Sequence, residues 1–363
     1  MSEKTEPSAV VGAFQIEGEF VSAAPYGSGH INDSYCVVFR GPRGVVRSLL
    51  QRINRRVFKN RLALMENIQR VTGHLAAQVA GEADAERRVL RLIPTRDGMS
   101  WHVDACGDMW RAYQFIEGAR TYDAVRSTEQ AFQAASAFGR FQKLLVDLPA
   151  PRLHDTIPDF HNTPKRYAAL EKAIAVDAVE RAILVKEEIA FVRARASMTG
   201  VLQEAGLPER ITHNDTKFNN VMLDDISGEA VCVIDLDTVM PGLVLHDFGD
   251  MVRTTTSPVE EDETDLSKVT MQFDMFEALL SGYLSTAGGF LTNSEKQHLV
   301  LASKVIALEQ GIRFLTDYLG GDTYYKVHRE GHNLDRCRTQ LRLMESIEKQ
   351  EPEMERLLRA MIA

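Results

Sequence analysis

Residues 213–220 and the apolar segments after them restrict the fold of this chain more than any other feature. The eight residues have the spacing H-x-D-x-K-x-x-N. Two apolar, strand-like runs, at 221–223 and 230–234, enclose a polar stretch, which is typical of a β-hairpin. A hairpin of this length returns the chain to its starting point, so Asp235 is expected beside Asn220. The chain must therefore form a tight polar loop that is closed by a two-stranded ribbon.

The side chains of this loop are of the types that phosphoryl transfer requires. The spacing matches the catalytic loop of protein kinases. The Asp215 carboxylate can accept the proton of an attacking hydroxyl group, and Lys217 can stabilise charge on the transferring oxygens. The Asn220 amide oxygen and the Asp235 carboxylate suit Mg²⁺, a hard cation. We therefore predict Asp215 and Lys217 as catalytic residues and Asn220 and Asp235 as metal ligands, with His213 packing beneath the loop.

A second acidic motif lies downstream. Residues 247–249 spell Asp-Phe-Gly, the metal-binding motif of protein kinases, but they follow a further loop. The metal-binding carboxylate should stand directly after the strand that returns from the catalytic loop, so Asp235 is the better candidate. Asp247 and Asp250 are expected instead to cap a helix or to hold the catalytic loop. The role of Asp237 stays open between the metal site and a strand end.

The order of these motifs resembles the aminoglycoside phosphotransferase and choline kinase superfamily of small-molecule kinases, and within it the bacterial N-acetylhexosamine 1-kinases most of all. Flanking segments extend the likeness over most of residues 20–345: 26–32, 50–54, 157–161 and 309–319. The resemblance implies an α+β protein with a two-lobed, protein-kinase-like fold. It also implies ATP as phosphate donor, Mg²⁺ as cofactor, and transfer to the anomeric hydroxyl of GlcNAc or GalNAc. Arg313 and Tyr324, with His30 as a weaker candidate, would contact the sugar.

The composition excludes several other classes of protein. The 363 residues carry a formal net charge of −9, which argues against nucleic-acid and anionic-membrane binders because such partners select basic surfaces. The four cysteines are dispersed, as expected of reduced thiols rather than of disulfides or a zinc site. The sequence shows no signal core and no apolar stretch of about 18 residues. We expect a soluble cytoplasmic protein; its oligomeric state is not predicted.

The pattern of apolar residues changes near residue 112, which predicts two lobes. Before that point strand-like runs alternate with turn signals, and residues 58–77 show helical spacing. From about residue 128 onward the pattern is mainly helical apart from the hairpin. A cleft between two lobes is a common place for a nucleotide. We predict a nucleotide-binding lobe at 1–112, a hinge at 113–118 and a catalytic and substrate-binding lobe at 119–363.

Four residues of the first lobe and hinge are candidates for contact with the nucleotide. Gly27 and Gly29 lie between two candidate strands, where glycine lets the backbone approach phosphate groups closely. The alternative is that these glycines only form an ordinary turn between the two strands. The adenine is expected to contact the backbone of the hinge from Gln114 to Glu117, whose side chains need no role of their own.

The third candidate strand carries no lysine, the residue that grips phosphates in protein kinases. Arg52 is expected to take this role, because a guanidinium group can bind phosphate oxygens with two hydrogen bonds. Glu66, on the following helix, is the best candidate to pair with Arg52. An ordinary surface position for Glu66 is the alternative.

The candidate acceptor segment, residues 313–338, contains tyrosines together with five Lys or Arg and four Asp or Glu residues. An aminoglycoside would need an acidic pocket and choline an aromatic cage, whereas this mixture suits a neutral polyol. Two alternatives stay open. The protein could be another small-molecule kinase, acting on an amino alcohol, homoserine or a different sugar. It could also be a non-catalytic nucleotide-binding regulator, which the intact set of catalytic residues disfavours.

Overall fold

The computed structural model describes residues 5–27, 31–42 and 44–363. The N-terminal part is a six-stranded antiparallel sheet with the strand order β1-β2-β3-β6-β4, in which β5 pairs with β6. A short helix, α1 (Pro7–Val10), precedes the sheet, and α2 (Arg61–Gln78) crosses over between β3 and β4. The strands are β1 (Glu19–Pro25), β2 (Asp33–Gly41), β3 (Gly44–Arg52), β4 (Leu92–Ile93), β5 (His102–Val103) and β6 (Met109–Gln114).

The two faces of this sheet have different surroundings, because side chains alternate along a strand. Leu50 of β3 belongs to a small core with Val37 and Trp110, against which the N-terminal segment packs. Leu49 and the residue after the strand, Ile53, pack instead against the main core of the protein. Along β3, the odd-numbered residues therefore face the main core and the even-numbered residues face the small core.

The remainder of the chain is mainly helical. Short strands are embedded in it: β7 (Ala119–Arg120), β8 (Arg210–Thr212), β9 (Val221–Asp224), β10 (Ala230–Val233) and β11 (Met240–Gly242). The helices are α3 (Thr128–Leu144), α4 (Thr163–Val176), α5 (Lys186–Arg193), α6 (Val201–Glu204), α7 (Val244–Thr255), α8 (Phe273–Ala287), α9 (Asn293–Gln297), α10 (Leu299–Leu319) and α11 (His332–Ile362). The main core runs from Ile53 to Leu358, so sheet and helices share it. None of these helices is long and apolar enough to cross a membrane.

Helix α10 lies at the centre of the helical part. Most of its residues are buried, and it contacts α4, α7 and α11. A helix that is apolar on nearly all sides is stable only inside a protein. The few polar groups of α10 are therefore held in fixed surroundings, which matters for Glu309 and Arg313 below.

Gly249 marks the closest approach of α7 to α10. A Cβ atom at this position would lie 2.5 Å from the Ala302 carbonyl oxygen and 2.7 Å from Ile306 Cγ1. Real Cβ atoms do not approach other atoms so closely, so the two helices would have to separate. The glycine of the Asp-Phe-Gly segment is thus required by helix packing.

We expect Gly249→Ala to lower the free energy of unfolding by about 1–3 kcal/mol, the usual cost of overpacking a core. Gly73→Ala is the matched control, because Gly73 is an exposed glycine within α2 and a Cβ there would meet nothing within 4 Å. Alanine at Gly73 should leave the protein as stable or more stable. Urea unfolding followed by circular dichroism measures both values; equal effects would contradict this account of Gly249.

Candidate active site

The predicted hairpin is present and closes the catalytic loop. Strands β9 and β10 pair antiparallel, with Val221 opposite Val233. The N–H group of Ile234 donates a hydrogen bond to the carbonyl oxygen of Asn220 at 2.9 Å. Asp235 follows directly and adopts a left-handed conformation, with φ 58°. The ribbon therefore brings Asp235 back to Asn220, as the sequence predicts.

A buried carboxylate holds the backbone of the loop. Asp247, in the first turn of α7, accepts hydrogen bonds from the backbone N–H groups of His213 at 2.8 Å and Asn214 at 2.7 Å. The Gln142 amide donates a third, at 2.7 Å. Burial raises the pKa of Asp247, although these donors oppose the shift. The prediction that Asp247 holds the catalytic loop is confirmed.

Asp250 supports the next part of the loop in the same way. Its carboxylate accepts a hydrogen bond from the N–H group of Thr216 at 2.9 Å and is paired with Arg253 at 2.8 Å. His213 is fully buried and packs edge-on against aromatic side chains of α3, while its Nε2 donates to the Ile234 carbonyl oxygen at 2.9 Å. The supporting role predicted for His213 is therefore confirmed.

Asp215 lies at the centre of the loop between a cation and an amide. Its Oδ1 is 2.8 Å from Lys217 Nζ, and its Oδ2 accepts a hydrogen bond from Asn220 Nδ2 at 3.2 Å. Burial acts to raise the pKa of Asp215, but the charge and hydrogen bond of Lys217, together with smaller contributions such as the charge of Arg253, lower the pKa overall. The same pair raises the pKa of Lys217. Asp215 is thus an ionised carboxylate, the form that can accept a proton.

Asp235 is the carboxylate with excess negative charge around it. Asp235 is exposed, but desolvation by the protein around it, together with repulsion from Asp237 and Asp215, raises the pKa of its carboxyl group to about 7. A divalent cation would relieve this repulsion. Because Asn220 Nδ2 already donates to the carbonyl oxygen of Asp215 at 2.8 Å, its amide oxygen is the atom left to bind a cation. The oxygen donors of Asn220 and Asp235 therefore fit Mg²⁺.

No group of three or more His, Cys, Asp or Glu side chains in the described part of the chain is arranged to hold a metal. A Mg²⁺ ion held by Asn220 and Asp235 would need further ligands, which waters and substrate phosphates usually supply.

Arg52 and Glu66 do not form the expected pair. Arg52 follows Leu50 by two residues, so it lies on the same face as Leu50 and Trp110; there it is paired with Asp33 and Asp108. Glu66 instead contacts His154, with 2.8 Å between Oε2 and Nε2. The prediction that Arg52 pairs with Glu66 is wrong. Neighbouring residues of a strand face opposite sides of the sheet, and Arg52 lies on the side of the small core. The phosphate role predicted for Arg52 has no support from this position.

The other predicted nucleotide contacts lie at the edge of the sheet and in the connector. Gly27 follows β1 and has φ +83°, a conformation that glycine adopts easily. Gly29 and His30 lie outside the described residues. Gln114 ends β6 with an exposed side chain, and the Glu117 carboxylate is paired with Arg47 of β3.

The predicted sugar contacts, Arg313 and Tyr324, lie together. Arg313 donates a hydrogen bond to Gln310 Oε1 at 3.0 Å. Its guanidinium lies 5.1 Å from the ring centre of Phe160 and 5.7 Å from that of Tyr325. Tyr324 is 65% exposed, and its ring centre is 4.8 Å from that of Tyr325. The structure thus adds the contacts of Arg313 with Phe160, Tyr325 and Gln310, none of which the sequence singled out as a sugar contact.

A buried ion pair joins this group to the catalytic loop. His161 Nδ1 donates to Glu309 Oε1 at 2.8 Å, and His161 Nε2 donates to the carbonyl oxygen of Asn214 at 3.3 Å. Thr163 donates to the second oxygen of Glu309 at 2.6 Å. Burial opposes charging of both partners, yet their attraction raises the pKa of His161 and lowers that of Glu309 to about 2. Helix α10 is therefore fixed to the residue before Asp215.

Comparison with known proteins identifies the class to which this fold and site belong. The model of the phosphotransferase enzyme family (APH) matches residues 22–270, and the chain belongs to this family. The match includes the sheet, the catalytic loop and α7.

Solved structures show the same fold. An aminoglycoside phosphotransferase from Alicyclobacillus acidocaldarius superposes with a TM-score of 0.62 at 12% identity, covering 99% of this chain and 98% of that one. A microcompartment-associated aminopropanol kinase gives 0.58 at 15% identity, with 95% and 96% covered. A spectinomycin phosphotransferase in complex with ADP and spectinomycin gives 0.53 at 12% identity, with 90% and 93% covered. The predicted α+β, protein-kinase-like fold is confirmed.

The Glu309 and His161 pair predicts how stability depends on pH. The lowered pKa of Glu309 means that its charged form stabilises the fold above pH 4.5, its ordinary value, and that this contribution is lost as pH falls toward 2. Between pH 5 and pH 3 we expect wild type to lose about 2 kcal/mol more unfolding free energy than Glu309→Gln. His161 is charged throughout this range and adds no slope.

Urea unfolding at pH 7, 5 and 3 measures these differences. Glu277→Gln, at an exposed position of α8, is the control and should follow wild type at each pH. Parallel losses in wild type and Glu309→Gln would show that the pair is not ionised in the folded protein.

Proposed function

We propose that this protein is an ATP- and Mg²⁺-dependent sugar kinase that phosphorylates the anomeric hydroxyl of an N-acetylhexosamine such as GlcNAc or GalNAc. One observation carries the proposal. The ionised Asp215 lies on a loop whose preceding residue, Asn214, is joined through His161 and Glu309 to the helix of Arg313. This connection holds the proposed base, Asp215, in a fixed position relative to the proposed acceptor pocket at Arg313. Both can then act on the same bound molecule.

The nucleotide is proposed to lie between the sheet and the helical part. The related spectinomycin phosphotransferase in complex with ADP supports ATP as the donor. Gly27 and Gly29 would border the phosphates, and the connector from Gln114 to Glu117 would border the adenine. Asn220 and Asp235 would hold Mg²⁺, which neutralises charge on the phosphate oxygens when it is bound.

The residues of the loop then have separate roles in transfer. Asp215 accepts the proton of the sugar hydroxyl and orients its oxygen toward the γ-phosphorus. As the new O–P bond forms, the bond to the ADP oxygen breaks, and Lys217 stabilises charge on the transferring group. The fixed loop backbone keeps these groups in place, which contributes to the rate because little reorganisation is needed.

The surroundings of Arg313 favour a neutral acceptor. A quaternary ammonium or an amine would bind over aromatic rings, but the Arg313 guanidinium already occupies that position beside Phe160 and Tyr325. The nearby carboxylate of Glu309 is buried and engaged by His161 and Thr163. A cationic acceptor would therefore meet repulsion without compensation. The hydroxyl and acetamido groups of a sugar can instead accept hydrogen bonds from Arg313. With the Tyr324 hydroxyl they can act as donors or as acceptors.

The metal site can be tested separately from the Asp-Phe-Gly segment. Asp235→Ala should abolish the dependence of nucleotide binding on Mg²⁺, because it removes the proposed charged ligand. Asp247→Ala should mainly lower the unfolding free energy, by about 3 kcal/mol or less, as the loop N–H groups lose their acceptor. ADP titrations with Mg²⁺ and with a chelator compare the two variants. The reverse pattern would place the metal site at Asp247.

The acceptor is tested with ATP, Mg²⁺ and a panel of free sugars and amino alcohols, with the phosphate located by NMR. A 1-O-methyl analogue of the best sugar should bind but accept no phosphate, since no other hydroxyl lies in line with the γ-phosphate. Arg313→Ala should weaken sugar binding by about 1–3 kcal/mol and leave ATP affinity unchanged.

Two variants serve as controls for the acceptor experiment. Asp215→Asn should bind ATP and lose transfer by about 10²–10⁴-fold. Arg342→Ala, on α11, removes an arginine whose partner is Glu345 and should leave the sugar KM unchanged. Efficient phosphorylation of the 1-O-methyl sugar, or of an amino alcohol in preference to sugars, would refute the proposed activity.

A further inference from the structure

The ion pair that connects sheet and catalytic machinery in protein kinases has no counterpart at the expected positions. In those enzymes a lysine of the third strand pairs with a glutamate of the next helix, and this pair must form for activity. Here Arg52 is held by Asp33 and Asp108 on the other face of the sheet, and Glu66 contacts His154. Another connection has to position the metal-binding segment relative to the sheet.

Arg111 of β6 supplies a buried connection. It lies opposite Gln51 in the strand register, and its Nε donates to Gln51 Oε1 at 3.0 Å, so both side chains are on the face that carries Leu49. Arg111 Nη1 donates to Asp237, and the side chains of these two residues are only 1% and 4% exposed. The second oxygen of Asp237 accepts a hydrogen bond from Asn32.

Asp237 stands two residues after Asp235, within a segment that is also tied to the catalytic loop. The Thr238 hydroxyl donates to the carbonyl oxygen of His213 at 2.7 Å, and the backbone carbonyl oxygen of Thr238 accepts a hydrogen bond from Asn214 Nδ2 at 2.9 Å. The segment that carries the metal ligand is thus fixed to the loop by Thr238 and to the sheet by Asp237.

We propose that Arg111 and Asp237 are positioning residues, and that their ion pair takes the place of the lysine and glutamate pair of protein kinases. The pair holds the segment of Asp235 against the sheet; it does not contact the nucleotide, because both side chains are buried. The inference rests on the proposed function in assuming that Asp235 binds Mg²⁺. The basic residue of the pair then lies on β6, whereas protein kinases have it on the third strand. The acidic residue lies in the segment of Asp235, whereas protein kinases have it on the next helix.

The test uses Asp237→Asn, Arg111→Met, Arg111→Lys and the double variant of Arg111→Met with Asp237→Asn. Mg²⁺ titrations of ADP binding by calorimetry should require about tenfold more Mg²⁺ in the Asn and Met variants, as when groups that orient metal ligands are removed. The double variant should be no worse than the poorer single variant, because both remove one interaction. Arg111→Lys should be intermediate.

The control is the ion pair of Arg210 on β8 and the buried Glu295 on α9, whose Nε and Oε1 atoms are 2.6 Å apart; the Arg210 side chain is 19% exposed. Glu295→Gln should lower the melting temperature without changing the Mg²⁺ requirement. If the Asp237 and Arg111 variants behaved like this control, the ion pair would be structural only and the proposal would be overturned.

Hydrogen exchange of the metal-free protein gives a readout that needs neither metal nor acceptor. Asp237→Asn should accelerate exchange at residues 235–239 relative to Glu295→Gln, since the segment loses its link to the sheet. Unchanged protection there would refute the proposal even if Mg²⁺ binding failed.

Conversely, wild-type protein that binds ADP with Mg²⁺ but phosphorylates no acceptor would refute the sugar kinase function and leave the positioning role supported by its own results.

Discussion

The arrangement of the active site depends on one buried carboxylate, Asp247, that accepts the backbone N–H groups of His213 and Asn214. An ionised carboxylate is costly to bury without partners, and these two donors together with Gln142 supply them. The interaction also allows Asn214 to adopt φ 65°, a left-handed conformation that turns the chain sharply before Asp215. In this conformation the Asn214 carbonyl oxygen accepts a hydrogen bond from His161. The loop, Asp215 and helix α10 therefore share a single anchor.

Negative charge exceeds positive charge among the ionisable groups of this site. Asp215, Asp235 and Asp237 lie close enough to repel one another, and Lys217 and Arg111 supply the opposing charges. Each cation is committed to one carboxylate, so Asp235 is left with the repulsion that raises its pKa to about 7. A divalent cation would satisfy Asp235 and leave positive charge for a phosphate group. The three carboxylates of this site thus have one cationic partner too few.

The local parts of this site are predictable from sequence, and the long-range parts are not. The hairpin that joins Asn220 to Asp235 follows from two apolar runs and a turn, all within about 15 residues of each other. Residues 49–52 read Leu-Leu-Gln-Arg, a sequence without apolar and polar alternation, so it does not reveal which face Arg52 occupies.

The residues that sequence reasoning missed are distant along the chain from their partners. His161 and Glu309 are 148 positions apart, and Arg111 and Asp237 are 126 apart, so no periodicity connects them. The segments 157–161 and 309–319 were both recognisable from the family resemblance. The resemblance gave neither His161 nor Glu309 a role, and only the fold shows that the two residues contact one another.

In the acceptor pocket proposed here, Arg313 would both attract neutral acceptors and exclude cationic ones. Aromatic rings such as those of Phe160 and Tyr325 attract cations, and in the absence of Arg313 they would suit an amino alcohol. With a guanidinium in place, the same rings are already occupied, and the five N–H donors of arginine favour acceptors such as hydroxyl and carbonyl oxygens. Specificity depends on the difference between the affinities for two acceptors. A residue that binds neutral oxygens and repels amines raises the affinity for neutral acceptors and lowers that for amines, so both changes favour the neutral acceptor. A shared fold with kinases of amino alcohols is therefore compatible with a pocket of the opposite preference.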